Sequence, residues 1–208
     1  TREGLPADVV YAISEDGEGR VWFGTIAGLA SYNDRQFAIY TKEQGLVDNE
    51  IRALHVDTQG GLWIGTGNGI SRYDESRFTN YTVADGLSNS FVTSIEEDAH
   101  GRLWFATKDG ISRFDGQGFI SFVPKDGLAH NRVETVHLDV YGTLWFGTFR
   151  GGISRYDDHT LVNFSMQDGL SHNTVRAIAE EPEGIIWLGT YHGLTRYDGQ
   201  SFTNFTDR

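Results

Sequence analysis

Cysteine is absent from this 208-residue chain, and proline occurs only three times. Without cysteine the chain forms neither a disulfide nor a thiolate metal site, which leaves both a reducing compartment and a disulfide-free periplasm open. No apolar run approaches the ~18 residues of a membrane-spanning helix, so we expect no membrane contact by this segment. No signal peptide opens the chain. Because the chain begins inside a repeat, that absence carries no information on location.

Basic residues are also scarce. The chain has 17 Lys and Arg against 29 Asp and Glu, which gives a formal net charge of −12. A field of that sign repels phosphate backbones and anionic headgroups, so we expect no nucleic acid partner. Glycine is abundant, with 26 residues, and 13% of the residues are aromatic. This composition is typical of many short strands that are joined by tight turns.

A repeat of about 41 residues organises the chain. Each unit begins with a Gly-Leu pair, and a tryptophan follows at the same distance from the glycine in every unit. The glycines are Gly4, Gly45, Gly86, Gly127 and Gly169, and the tryptophans are Trp22, Trp63, Trp104, Trp145 and Trp187. One extra residue lies in the turn 149–152 of the fourth unit. The five units therefore span about 4–44, 45–85, 86–126, 127–168 and 169–208.

Each unit carries four short strand patterns and no helical period. In the second unit they are residues 51–57, 62–66, 70–73 and 78–82, and Asp57 and Gly60 mark a hairpin turn between the first two. Four strands per radial repeat predict an all-β, five-bladed β-propeller with four antiparallel strands per blade, in one domain over 1–208. A stacked solenoid is the alternative. All five tryptophans lie in the most apolar strand, so we expect them to pack between blades and to be unavailable for a ligand.

The full repeat reads Gly-Leu-x-x-Asn-x-Val, then Asp-x-x-Gly-x-Leu-Trp-Phe/Ile-Gly-Thr, Gly-Ile-Ser-Arg-Tyr-Asp and a closing Phe-x-x-Tyr/Phe. Over residues 4–206 it resembles the two-component regulator propeller repeat. That family supplies the extracytoplasmic sensors of many bacterial hybrid histidine kinases, several of which respond to oligosaccharides. The resemblance implies a non-enzymatic, ligand-sensing propeller that is periplasmic or extracellular.

Two departures from the family pattern qualify this resemblance. Family sensors usually carry seven blades per ring, and their Ig-like module, membrane helix and kinase have no counterpart in this sequence. The ends, Thr1-Arg2-Glu3 and Thr206-Asp207-Arg208, lie at the same phase of the repeat as Thr41-Lys42-Glu43. From this phase we expect an excised fragment, an unusual environmental protein or an engineered propeller. A structural or engineered scaffold without a ligand of its own is the second functional hypothesis. The seam between the terminal blades is a candidate surface for self-association.

The loops that vary between otherwise regular repeats are the best candidates for a ligand site. They lie on the face formed by the connections between blades and by the turns between second and third strands. Aromatic rings, guanidinium groups and amides there suit a sugar acid or an anionic oligosaccharide. The candidate ligand-binding residues are His130, Arg132, Phe149, Arg150, His172, Tyr191 and His192, with Arg52, Glu134 and Arg176 on the inner strands. A solvated loop surface is the plain alternative.

Two repeated residue types favour structural roles. The asparagines that follow Gly-Leu (Asn49, Asn89, Asn131 and Asn173) are suited to satisfying turn backbone groups. Arg72, Arg113, Arg155 and Arg196 recur in register with Asp74, Asp115, Asp157 and Asp198, which predicts a set of structural salt bridges.

Catalytic signatures are weak. The chain has no P-loop, His-Glu-x-x-His or Gly-x-Ser-x-Gly motif, and we expect no catalytic residues, no metal and no cofactor. A metal site of His130, His172, His192 and Glu134 is an alternative that nothing in their spacing specifies. A glycan-active enzyme is the third functional hypothesis, but it needs paired carboxylates, and Glu134 is the one carboxylate at the inner positions considered.

Overall fold

The computed structural model describes residues 4–33, 36–74 and 77–207. Within these residues the chain forms five four-stranded antiparallel sheets, each made of consecutive strands. The predicted five-bladed all-β propeller is therefore confirmed. Thr1, Arg2, Glu3 and Arg208, on which the comparison of the chain ends depends, lie outside the described residues.

The twenty strands follow one another in the same order in every blade. Blade one contains β1 (Val10–Glu15), β2 (Val21–Thr25), β3 (Gly28–Asn33) and β4 (Gln36–Tyr40); blade two contains β5 (Ile51–Val56), β6 (Leu62–Thr66), β7 (Gly69–Tyr73) and β8 (Phe78–Tyr81). Blade three contains β9 (Val92–Glu97), β10 (Leu103–Thr107), β11 (Gly110–Phe114) and β12 (Phe119–Phe122). Blade four contains β13 (Val133–Leu138), β14 (Leu144–Thr148), β15 (Ile153–Tyr156) and β16 (Leu161–Phe164); blade five contains β17 (Val175–Glu180), β18 (Ile186–Thr190), β19 (Gly193–Tyr197) and β20 (Phe202–Phe205).

The Gly-Leu mark of the repeat ends a short 3-10 helix between blades. Before blade two this helix spans Lys42–Gln44, and the Thr41 side chain accepts a hydrogen bond from the backbone N–H of Glu43. Gly45 then adopts φ 113°, a left-handed conformation that favours glycine. The glycine is therefore required by the turn that carries the chain from one blade into the next.

The hairpin aspartate has a second role that the sequence pattern does not reveal. Asp57 Oδ1 accepts hydrogen bonds from the backbone N–H groups of Gln59 and Gly61, as expected for such a turn. Its Oδ2 also accepts a 2.8 Å bond from Trp63 Nε1. Asp16, Asp98 and Asp139 bind Trp22, Trp104 and Trp145 in the same way, and Glu181 binds Trp187. The turn therefore fixes the indole that packs between the blades.

Four of the five tryptophans pack between blades as predicted. Trp22, Trp63, Trp104 and Trp145 are 1–2% exposed, and each lies in an apolar cluster with residues of the following blade. Each indole also contacts an aromatic ring of that blade at a centroid distance of 5.4–5.7 Å; the partners are Tyr73, Phe114, Tyr156 and Tyr197. These contacts join the five blades in chain order.

Trp187 is the exception, and the prediction that all five tryptophans are used between blades is wrong for it. The indole is half-buried and stacks on Phe205 of its own blade at 5.4 Å. Among the described residues the strands of blade five do not pack on those of blade one as consecutive blades do. The second strands of blades two to four (β6, β10 and β14) have a blade on each side and are buried throughout. Those of blades one and five (β2 and β18) are partly exposed.

Candidate functional site

One face of the propeller gathers the variable loops. Because neighbouring strands are antiparallel, the start of each first strand lies beside the turn between the second and third strands. We call this region the mouth; it comprises the starts of β1, β5, β9, β13 and β17 with the turns 26–27, 67–68, 108–109, 149–152 and 191–192. Seven of the ten predicted site residues lie in these segments, and the other three, His130, Arg132 and His172, lie within three residues before the starts of β13 and β17.

Blade four brings five of the predicted residues together. The Phe149 ring lies between two guanidinium groups, with Arg132 at 4.4 Å and Arg150 at 4.9 Å from its centroid. The His130 ring approaches the same phenyl ring at 6.4 Å. Arg132 also forms an ion pair with Glu134, with Nε 2.6 Å from Oε1. Most of the charge of Arg132 is thus balanced inside the protein.

The extra residue of blade four changes the turn that holds Arg150. Arg150 has φ 72°, a left-handed conformation that is uncommon for a residue with a side chain. Its backbone N–H donates to Thr174 Oγ1 at 3.2 Å, and the backbone N–H of Gly152 donates to the carbonyl of Asn173 at 2.7 Å. Contacts with the next blade therefore hold Arg150 exposed at the mouth.

Blade five forms a second group, of histidine and tyrosine side chains. The His172 ring lies 5.6 Å from Tyr191 and 5.1 Å from His192. The Arg176 guanidinium lies 5.3 Å from the centre of the Tyr191 ring. Tyr191 and His192 also line an open groove with Phe205. This group is therefore next to the uncovered face of blade five.

Blades one to three form a third group that the sequence reasoning undervalued. The guanidinium of the predicted residue Arg52 lies 4.0 Å from the centre of the Tyr11 ring and 5.2 Å from that of Phe91. The ammonium of Lys108 lies 3.4 Å from the centre of the same Phe91 ring. Arg52 also forms an ion pair with Glu50. Tyr11, Phe91 and Lys108 occupy the repeat positions of the predicted residues Arg52, Arg132 and Phe149, and comparing those positions was the signal that could have found them.

The cations of the mouth differ in how their charge is balanced. Arg52 and Arg132 are paired with Glu50 and Glu134. Among the residues that the structure describes, Lys108, Arg150 and Arg176 form no ion pair. Each of these three lies against an aromatic ring and is exposed to solvent. A cation on an aromatic face with no anionic partner is available to an anionic ligand.

Three of the four repeated asparagines serve the backbone as expected. Asn49 Oδ1 accepts from the N–H of Lys42, Asn173 Oδ1 from that of Met166, and Asn89 Oδ1 from that of Phe91, at 2.7–2.9 Å. Asn131 differs, because its amide donates to the Asp109 carboxylate at 2.9 Å. That bond joins the turn of blade three to the linker of blade four.

The repeated arginines only partly follow the predicted salt-bridge set. Arg196 lies 3.8 Å from Asp198, but Arg72 pairs with Asp57 at 3.3 Å. Most of these arginines instead lie over the tryptophan of their own blade. The guanidinium groups of Arg72, Arg113 and Arg155 are 5.5–5.9 Å from the centre of the indole ring. They therefore cover the indole edge as well as balancing charge.

The opposite ends of the first strands carry a further set of ionisable groups. Burial raises the pKa of Glu96 to about 7, and the neighbouring Glu97 charge adds to this. Burial also lowers the pKa of His55, although Glu97 lies 3.8 Å away. His137 faces Glu180 across a blade interface at 3.3 Å. Within residues 4–33, 36–74 and 77–207, no group of three acidic or histidine side chains is arranged to hold a metal ion. No described helix is long and apolar enough to cross a membrane.

These elements define a repeat propeller whose mouth presents aromatic and cationic side chains. The family model for the two component regulator propeller matches residues 4–27, 45–68, 86–109 and 169–192. The matched segments run from the Gly-Leu pair to the turn between the second and third strands in blades one, two, three and five. Four of the five repeats therefore match the model of the two-component regulator propeller, the family that the repeat resembles. No curated protein sequence matches the chain.

Solved structures of similar fold include bacterial sensor domains and lyases. The extracellular domain of a protein described as a hybrid two component system from B. thetaiotaomicron is 27% identical, with a TM-score of 0.86 over 97% of this chain and 29% of its own. A one component system domain from the same organism is 21% identical, with a TM-score of 0.81 over 96% and 31%. Virginiamycin B lyase from Staphylococcus aureus is 18% identical, with a TM-score of 0.78 over 95% and 70%. The chain thus spans less than a third of the length of these two sensor domains, and the lyase likeness shows the fold alone.

Proposed function

We propose that this protein is a non-enzymatic binding module that takes an anionic oligosaccharide, or another small acidic ligand, at the mouth. The observation that carries the proposal is the pair Arg150 and Arg176. Each guanidinium lies on an aromatic ring, those of Phe149 and Tyr191, and neither forms an ion pair among the described residues. These side chains stand out on a chain whose net charge is −12.

The chemistry of the two arginines suits the carboxylate or sulfate groups of an acidic sugar. A guanidinium donates two parallel hydrogen bonds to such a group, which gives direction as well as affinity. The exposed edges of Phe149 and Tyr191 offer apolar contact to the C–H face of a pyranose ring. His172 and His192 add ring nitrogens that hydrogen-bond to hydroxyl groups. A neutral sugar would use the rings but leave the arginines without an anion.

The proposed biological role is ligand sensing in the periplasm or outside the cell. It is supported by the two-component regulator repeat and by the extracellular sensor domains that share the fold. Since the chain spans only 29% of the first of these domains, the signalling steps of such systems are not assigned to it. The proposal covers the recognition step.

A charge-matched set of variants tests the site. Binding of uronate-bearing, sulfated and neutral oligosaccharides is measured by calorimetry for the wild type and for Arg150→Gln with Arg176→Gln. We expect binding of one or more acidic oligosaccharides, and at least a ~30-fold loss in the double variant, because each charged hydrogen bond contributes about 1.5–3 kcal/mol. Arg77→Gln is the control, since this exposed arginine lies in the turn after β7, away from the mouth.

The alternatives predict other results. A scaffold without a ligand binds none of the oligosaccharides. A site elsewhere leaves the double variant with wild-type affinity, which would contradict the placement. A glycan-active enzyme releases shortened or unsaturated products during the titration, which chromatography detects. Glu134, the carboxylate on which that hypothesis rested, is paired with Arg132 at 2.6 Å, and we propose binding without turnover.

A further inference from the structure

Blade three presents a cation on an aromatic ring at the mouth, and the proposed function does not use it. The ammonium of Lys108 lies 3.4 Å from the centre of the Phe91 ring. The backbone N–H of Lys108 also donates to the Phe91 carbonyl at 3.2 Å. The Phe91 backbone is itself fixed, because its N–H donates to Asn89 Oδ1 at 2.9 Å. Lys108 and Phe91 are therefore held together, and we call them the blade-three pair.

The repeat does not need this pair in order to fold. The backbone bond between the two positions recurs in every blade, although the residues that occupy them differ widely. They are Val9 and Ile26 in blade one, Glu50 and Gly67 in blade two, and Thr174 and Tyr191 in blade five. The same turn thus forms with an aliphatic pair and with a pair that has no ring. The turn itself does not explain a lysine on a phenylalanine, and a role at the surface does.

Blade four carries the same combination with the two positions exchanged. There the cation, Arg132, precedes the first strand, and the ring of Phe149 lies in the turn, 4.4 Å from the guanidinium. Glu134 balances the charge of Arg132. In blade three the position of Glu134 is occupied by Thr93, which carries no charge. Within the part of the chain that the structure describes, Lys108 forms no ion pair, and its side chain is exposed.

The blade-three pair lies in the loop next to the blade-four residues of the proposed site. The Asn131 amide donates at 2.9 Å to the carboxylate of Asp109, which follows Lys108 in the chain. The backbone N–H of Gly110 donates to the Asn131 carbonyl in the same contact. Lys108 occupies the repeat position of Phe149, so Arg150 lies one residue further along the equivalent turn of the next blade. Adjacent blades therefore carry free cations at the mouth, each on a different aromatic ring.

We propose that Lys108, held by Phe91, forms a second acid-binding subsite of the mouth, and that the ligand is a linear oligosaccharide with acidic groups on at least two of its units. This inference rests on the proposed function, in which Arg150 and Arg176 bind the first acidic group. The Lys108 ammonium donates to the carboxylate or sulfate of another unit, and the Phe91 ring keeps that ammonium in place. Because one ligand joins the two subsites, the second contact is intramolecular and raises the affinity of longer chains.

Calorimetry with acidic oligosaccharides of increasing length tests the second subsite. The probes are four series from the monomer to the hexamer, made of galacturonate, mannuronate, guluronate or sulfated galactose units. We expect the affinity to rise at least ~10-fold between the shortest acid that binds and the longer chains, because a further charged contact is added. Lys108→Gln is expected to remove that rise and to leave the affinity for the shortest acid unchanged. Lys108→Arg keeps the charge and is expected to keep the rise.

Two further variants separate this result from the proposed function. Arg150→Gln is expected to weaken short and long chains alike, whereas Lys108→Gln weakens the long chains alone. Arg77→Gln removes one positive charge from the turn after β7 and is the control for net charge.

The outcomes that overturn the second subsite are distinct. An affinity that does not rise with length, or a Lys108→Gln variant that binds every length as the wild type does, overturns it and leaves the proposed function standing. An equal loss for the shortest and the longest chain in Lys108→Gln overturns it as well, because Lys108 then belongs to a single site. If the wild type binds no acidic chain of any length, the second subsite and the proposed function are both wrong.

Discussion

Replacing Asp98 with alanine tests how the hairpin turn and the inter-blade tryptophan depend on one another. Asp98 Oδ1 accepts from the backbone N–H groups of His100 and Arg102, at 2.9 and 3.0 Å. Its Oδ2 accepts from Trp104 Nε1 at 2.7 Å and from Arg102 Nε at 2.6 Å. Burial opposes ionisation, but the bonds from Trp104 and Arg102 outweigh it, and the pKa of Asp98 lies below its ordinary value.

The expected loss follows from these four donors. Three are neutral and contribute ~1 kcal/mol each, while the bond from the Arg102 guanidinium contributes more because it is charged. Arg102 keeps a second partner, Asp158, at 2.7 Å, which limits the loss. We expect Asp98→Ala to lower the free energy of unfolding by about 4 kcal/mol at pH 7. Because the folded pKa is depressed, the part of this contribution that depends on ionisation is complete above the unfolded pKa and is lost as the pH falls through the folded pKa.

Urea unfolding followed by tryptophan fluorescence measures this loss. Asp115→Ala is the matched control in the same blade. Asp115 accepts from the backbone N–H groups of Gln117 and Gly118 in a similar turn, but it is exposed, so water replaces its bonds. We expect its midpoint to equal that of the wild type. One ordinary hydrogen bond contributes ~1 kcal/mol. If Asp98→Ala lowers the free energy of unfolding by less than this, Asp98 does not stabilise both the turn and the Trp104 indole.

Three further predictions concern packing, pH and backbone conformation. Trp145→Ala is expected to lower the free energy of unfolding by about 3–5 kcal/mol, and Trp187→Ala by clearly less, because Trp187 is half-buried beside an uncovered face; equal losses in urea unfolding would contradict this. The pKa of Glu96 in the folded protein is about 7, above its ordinary value, so the free energy of unfolding is expected to fall by at most ~3 kcal/mol as the pH rises from about 4.5 to 7. Glu96→Gln is expected to remove that fall. If the variant keeps the wild-type dependence of stability on pH, the prediction is wrong. Arg150→Gly is expected to raise the free energy of unfolding by ~0.5–1 kcal/mol, because glycine adopts φ 72° without strain. The same change is expected to weaken ligand binding. A variant that unfolds at a lower temperature than the wild type would contradict the first expectation.

The regular part of the fold could be predicted from the sequence because it repeats. A constant period, with a tryptophan at one fixed position, predicts the four strands of each blade and the packing of Trp22, Trp63, Trp104 and Trp145. The exposure of Trp187 could not be predicted in that way. Its repeat is ordinary, and what differs is that, among the described residues, no aromatic ring of another blade contacts its indole. The second role of Asp57, as the acceptor for Trp63 Nε1, was also missed because turn chemistry alone explains an aspartate there.

The candidate site was predicted only in part, since contacts between blades are not visible along the chain. The Arg132–Glu134 pair joins residues two positions apart and could have been proposed from the sequence. The stack of Tyr11, Arg52 and Phe91 draws one residue from each of three blades, and spacings of 41 and 39 residues along the chain give no sign of contact. Nor does the sequence show that Arg150 keeps its charge unpaired while Arg132 does not. That difference is visible only in the structure, where Glu134 lies beside Arg132 and where Arg150, in the turn with the extra residue, adopts a left-handed conformation.

The central claim is that the mouth recognises negative charge on a ligand, and one measurement tests it most directly. Calorimetric titration compares an acidic oligosaccharide that binds in the screen with the same oligosaccharide after its carboxylates are methyl-esterified. We expect the acid to bind with an affinity that falls as salt rises, and the ester to bind at least ~30-fold more weakly. It also predicts that Arg150→Gln with Arg176→Gln removes this preference. Equal affinity for the acid and its ester, or a preference that survives in the double variant, would contradict the account.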